Sequence, residues 1–184
     1  SDANHRLLLR ACDRRRASGR RDYAAIVLML RLGLRAGEVA VLRLDDVDWR
    51  AGQLTVHGKG GRVDQLPLPV DVGEAIAAYL WRGRPRDAAV REVFLRVTPP
   101  QVALTGSGVT AIVVGAARRA GLGVVRAHRL RHTAATDMLR AGAPLAEIGQ
   151  VLGHRSPGST AVYARVDVER LRTIARPWPA GATS

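Results

Sequence analysis

The chain has 184 residues, with 29 Lys and Arg against 16 Asp and Glu, a formal net charge of +13 and a pI near 11.5. That excess is far beyond what solubility needs and points to a polyanionic partner such as nucleic acid, while a single cysteine, Cys12, excludes a disulfide framework and a thiolate zinc cluster. No apolar run is long enough to span a membrane and the N-terminus lacks a signal-peptide pattern, so the expected compartment is cytoplasmic, with no membrane partner.

The length fits one compact domain. Every basic residue except Lys59 is an arginine, the habit of a GC-rich genome. A chain that uses guanidinium wherever charge suffices has kept one ammonium, which marks Lys59 as a candidate acid. Ser1-Asp2-Ala3 looks like a cloning remnant, and the natural protein is expected to continue upstream. From Asn4 to Arg21 the sequence is arginine-heavy, broken at Ser18-Gly19, and reads as a short helix and a linker with a solvated face. Apolar residues at Ile26, Val27, Leu30 and Leu34 predict a helix from Tyr23 to Leu34. Gly33 and Gly37 bracket Arg35, and a second helical run follows from Glu38 to Leu44.

Asp45 to Trp49 turns into a strand predicted at Gln53 to His57. Gly58-Lys59-Gly60-Gly61 is a tight glycine turn, and Gln65 to Pro69 returns as a proline-bearing edge strand, which puts Lys59 on a hairpin tip. Asp71 is the expected N-cap of a helix to Trp81, with Glu74 three residues on. Glu92 to Val97 reads as a short strand, Thr98 to Gly108 as a loop, and Thr110 to Ala120 as a helix closed by Gly121. From His128 onward three or four helices follow, with breaks at Gly142-Ala143-Pro144, Gly153 and Pro157-Gly158. The last helix, Asp167 to Ala175, precedes a disordered tail. The fold class expected is α+β, mainly helical, with a small antiparallel sheet near residues 53–70.

The stretch from Val125 to Val166 carries the densest chemistry. It contains His128-Arg129-Leu130-Arg131-His132-Thr133, then Leu152-Gly153-His154, then Tyr163. Cations that hold an oxyanion beside a phenol that can attack suit phosphate handling. Each residue also has a plain reading: Arg35 as a salt-bridge partner of Glu38, His154 as a helix-end residue, His57 as an ordinary strand residue, Tyr163 as a core aromatic. Metal binding by the histidines fits poorly, because no carboxylate or cysteine is spaced with them.

Three pieces stand in order: Gly33-Leu34-Arg35-Ala36-Gly37-Glu38, the Gly58-Lys59-Gly60-Gly61 hairpin, and His-x-x-Arg-His-Thr followed by Leu-Gly-His with a tyrosine nine residues later. The ordered set resembles the catalytic domain of the tyrosine recombinases, the phage integrase family, from Tyr23 to Ile174. The resemblance implies that Arg35 and Arg131 grip a scissile DNA phosphate and that Lys59 protonates the departing 5′ oxygen. It further implies that His128 assists proton transfer, that His154 hydrogen-bonds the phosphate, and that Tyr163 is the nucleophile. By the same resemblance Glu38 is expected to support the site from behind, and His132 is expected to pack or cap beside it.

The implied activity is site-specific recombination of double-stranded DNA through a 3′-phosphotyrosyl link, with no metal, ATP or other cofactor. The implied assembly is a homotetramer on DNA, with possible accessory DNA-bending proteins. In this reading residues 1–21 are the linker, 22–176 the catalytic domain and 177–184 the tail, and the family's N-terminal core-binding domain is absent from the chain. Ala134, where the family often has an aromatic residue, and Arg165, where a histidine is frequent, depart from the pattern. Two other readings stay open, a type IB topoisomerase-like activity and a catalytically inactive DNA-binding regulator.

Overall fold

The structure, a computed structural model, describes residues 2–58 and 60–142. Six helices and three strands are seen there: α1 (Asp2–Arg10), α2 (Ala17–Leu32), α3 (Ala36–Val41), β1 (Val47–Asp48), β2 (Gln53–His57), β3 (Val63–Pro67), α4 (Val70–Arg82), α5 (Gly106–Arg119) and α6 (Ala127–Arg140). The class is the expected one, mainly helical with one small antiparallel sheet in the order β1-β2-β3.

Helix α2 is the axis of the molecule. Nine of its last eleven residues are too apolar for a helix with a wet side, and the run from Ala24 to Met29 is buried throughout. A helix apolar on all sides must be enclosed, and α1, α3, α4, α5 and α6 all pack against it. The helix begins six residues earlier than its apolar period predicts. Arg20 and Arg21, expected on a solvated face, instead donate to the carbonyls of Arg82 and Leu95 at 3.1 Å each, bonds that hold the first turn in place. The short helix expected before the linker is α1, and it has more than a solvated face, because its Leu8 is buried with Cys12 in the common core. Burial, with the charge of Asp22 behind it, pushes the Cys12 thiol up to about 11, so it packs as a small apolar group.

Strand β2 has the predicted bounds, with Leu54 and Val56 turned inward. Its partner β3 begins two residues before the predicted strand, because the pairing runs from His57 opposite Val63 to Gln53 opposite Pro67. Leu68 still donates its amide to the Gly52 carbonyl at 2.7 Å, and the chain leaves the ladder at Pro69 to start α4. Pro69 is therefore the residue that precedes that helix, and Asp71, expected as N-cap, lies inside its first turn and pairs with Arg31 at 2.8 Å. The strand expected over Glu92 to Val97 is reduced to single bridges, Arg43 with Glu92 and Leu95 with Ala103. Side chains anchor this segment instead: Tyr79 accepts from the Leu95 amide and stacks on Phe94, centroids 5.7 Å apart. Helix α5 starts at Gly106, four residues before its predicted start, with Thr105 capping the Gly108 amide. A Cβ at Gly106 would stand 3.3 Å from the backbone of Gly37, so the start of α5 can lie directly on the start of α3.

Candidate active site

The site is built where α2 ends. Gly33 closes that helix at φ 63, a left-handed conformation that glycine adopts without penalty, and it redirects the chain into an extended Arg35. Helix α3 then begins, and Glu38, one turn in, folds back. Its Oε2 accepts from the Arg35 amide at 2.7 Å and its Oε1 from Arg35 Nη1 at 2.8 Å. The plain salt-bridge reading of Arg35 therefore holds, and it leaves the guanidinium nearly half exposed, at 46%.

The second arginine arrives from 96 positions away in sequence. Helix α6 has begun by Ala127, so His128 and Arg131, three apart, share one helix face. Arg131 Nη1 donates to the Gly33 carbonyl at 2.7 Å and stands 3.8 Å from Glu38 Oε2. Thus the carbonyl exposed by the turn at α2 and the carboxylate at α3 jointly fix Arg131. Its side chain is only 14% exposed, and its Nη2 has no hydrogen-bond acceptor among the described residues. Burial, then the charges of Arg35 and Arg62, lower the affinity of Arg131 for its proton, against the opposite pull of Glu38. A guanidinium stays charged under such pressure, and among the described residues Arg131 and Arg35 share the one carboxylate of Glu38.

Arg35, Arg131 and His128 line one cavity of about 370 Å³, with Thr110 of α5 and Arg126 ahead of α6 on its wall. His128 is exposed, and the exposed His132 stands edge-on to it, ring centroids 6.0 Å apart. Arg126, Thr110 and Arg62 were not singled out from the sequence. Arg126 and Arg62 had a signal, each being a basic residue within three positions of a candidate, but Thr110 reaches the cavity only through the packing of α5. Arg62 Nε is 2.7 Å from Asp64 Oδ2, yet buried and poorly aligned for a hydrogen bond. His57 is more than a strand residue: Nε2 lies 2.8 Å from Oδ1 of the buried Asp46, which also accepts from the Arg43 amide, and this ties down the end of β2 that leads into the turn. Lys59, His154 and Tyr163 lie outside the described residues, as does the expected helix from Asp167 to Ala175. Among the described residues, no three His, Cys, Asp or Glu side chains gather as metal ligands, and no helix is long and apolar enough to cross a membrane.

Residues 2–170 match the sequence model of the phage integrase family. The chain belongs to the phage integrase family. Among its relatives, a putative integrase/recombinase of Sinorhizobium fredii, y4rA, is 53% identical over 95% of this chain and 43% of its own length. Tyrosine recombinase XerC of Oceanobacillus iheyensis is 34% identical over 84% of the chain and 52% of its own length. The crystal structure of XerA recombinase superposes with a TM-score of 0.74 at 26% identity, covering 97% of this chain and 65% of that one. The family and fold expected from the ordered motifs are thus the family and fold of this integrase-family chain, which spans about half the length of these relatives.

A phosphodiester under attack gathers negative charge on its non-bridging oxygens. In this family member the two guanidiniums are held by one carboxylate and one carbonyl before any ligand enters, so little side-chain order remains to be imposed when an anion binds. Glu38 and Gly33 set where the two forks sit.

Proposed function

We propose that this chain is the catalytic domain of a site-specific DNA recombinase, with residues 22–176 as the working unit. The observation that carries the reading is the convergence of Arg35 and Arg131 on Glu38, beside a cavity lined by His128, with Arg131 Nη2 buried and without a partner among the described residues. Arg35 and Arg131 grip the scissile phosphate of a DNA duplex. Tyr163 attacks phosphorus through its phenolic oxygen, forming a 3′-phosphotyrosyl bond and breaking the bond to the 5′ oxygen. Lys59 gives that oxygen its proton, a transfer for which an ammonium is better suited than a guanidinium.

His128 takes part in moving the tyrosine proton, and His154 donates to a phosphate oxygen. A 5′ hydroxyl of a partner strand then reverses the step. The guanidiniums carry the charge that a metal would otherwise offset, and the phosphotyrosyl bond conserves the energy of the broken diester, so neither metal nor ATP is required. Exchange takes place between four copies on DNA, with accessory bending proteins where the site demands them.

A nicked suicide duplex carrying a candidate attachment site tests this. Wild type is expected to leave a covalent protein–DNA band on a denaturing gel, and Tyr163→Phe none. An equal band from the variant contradicts the assignment of the nucleophile. Cleavage of every duplex irrespective of sequence, with relaxation of supercoiled plasmid, contradicts site-specific exchange.

A further inference from the structure

The cavity carries more positive charge than one phosphate uses. Arg35 and Arg131 share Glu38, whereas the exposed Arg126, on the same wall, has no ion pair and no side-chain hydrogen bond among the described residues. Arg126 immediately precedes α6, where the helix dipole disfavours a cation, and the first turn of α6 holds no carboxylate to offset it. A guanidinium set against the local field, beside two others, calls for an anion that the described residues do not supply.

The dimensions allow that anion to be separate from the one held by Arg35 and Arg131. Arg126 and Arg131 are rooted five positions apart, about 7.5 Å along α6 at the helix rise. Successive phosphates of one strand advance ~3.4 Å along the duplex axis, and the winding of the backbone sets them further apart. The cavity volume, about 370 Å³, is more than ten times the ~30 Å³ share of one water in the liquid, room for more than a single phosphate.

We infer that Arg126 binds the backbone phosphate next to the one gripped by Arg35 and Arg131, so that the cavity holds two successive phosphates of one DNA strand. The inference rests on the DNA-cleaving reading above and adds to it a positioning residue that sets the register of the strand. A neutral or single-phosphate ligand leaves Arg126 unmatched, whereas a continuous strand matches it.

Two measurements test the contact. On a duplex of arbitrary sequence, fluorescence anisotropy reads the slope of log affinity against log salt. Arg126→Ala is expected to flatten that slope by about 0.9, the counterions of one phosphate, and Arg126→Lys to restore it; an unchanged slope overturns the contact. In the suicide duplex, a neutral methylphosphonate replaces the phosphate on one side or the other of the scissile one. Wild-type cleavage should slow roughly tenfold at one of these two positions, as loss of a charged hydrogen bond predicts. Arg126→Ala, already slowed, should lose nothing further there. Equal slowing of wild type and variant at both positions overturns the assignment to the neighbouring phosphate. A wild type that never forms a covalent band contradicts the proposed function instead, and the anisotropy slope still decides whether Arg126 meets a phosphate.

Discussion

Glu38 is 8% exposed and faces two guanidiniums, so it is the residue whose removal should disturb the site most without touching a candidate phosphate ligand. Glu38→Gln keeps the size and one acceptor but leaves the largely buried Arg131 without a countercharge. Breaking a buried pair from one side costs about 3 kcal/mol, and the half-exposed Arg35 lowers that to about 2 kcal/mol here. Urea unfolding should register this loss. Millimolar phosphate should stabilise Glu38→Gln more than wild type, because an anion between the forks replaces the missing carboxylate. Equal stabilisation of both would show that the cavity does not take a phosphate between Arg35 and Arg131. The pairing of Arg35 with Glu38 was legible in the sequence, since three residues' separation at a helix start brings the side chains together. The meeting of Arg131 with Glu38 was not, because only tertiary packing of α6 on α2 brings them within reach.

At the scale of elements, the end of α2 does two jobs at once. Gly33 turns the chain at φ 63, and its carbonyl receives Arg131. Gly33→Ala should cost about 1 kcal/mol, the penalty of a Cβ in the left-handed region, seen as a lower urea midpoint. Cleavage of the suicide duplex should fall further than that loss of stability explains, because a shift of the carbonyl moves Arg131. A fall in cleavage no larger than the loss of folded protein would separate the turn from the site. Elements with a strong local period were legible: the bounds of β2 follow from alternation ended by a glycine turn, and the presence of helices at α5 and α6, though not the start of α5 at Gly106, from apolar spacing. What was missed depended on distant partners. The start of α2 was hidden because arginines that look solvated reach carbonyls of α4 and of the segment after it. Asp71 was misread as a cap because β3 ends at Pro67 and α4 begins at Val70, a shift fixed by the pairing register and not by residue type.

For the whole molecule, the net charge of +13 and the membership of the phage integrase family support the proposal that this chain joins itself to DNA through Tyr163 and exchanges strands in an assembly of copies. If the segment from Asp167 to Ala175 packs on a neighbouring copy through Val168, Leu171 and Ile174, a chain ending at Val166 should form smaller complexes on DNA, read as mass against dilution. Unchanged assembly would place those residues on their own domain. The ordered motifs made the family legible because three short signatures in the right sequence rarely coincide, while Arg126 and Thr110 became visible only with the cavity they line. The most direct measurement is to trap the covalent complex on the suicide duplex, digest both protein and DNA, and locate the nucleotide remnant by mass spectrometry. The account predicts a phosphodiester remnant on Tyr163 and on no other residue. A remnant on Tyr23, Tyr79 or a serine, or a band whose protein carries no remnant at all, would contradict it.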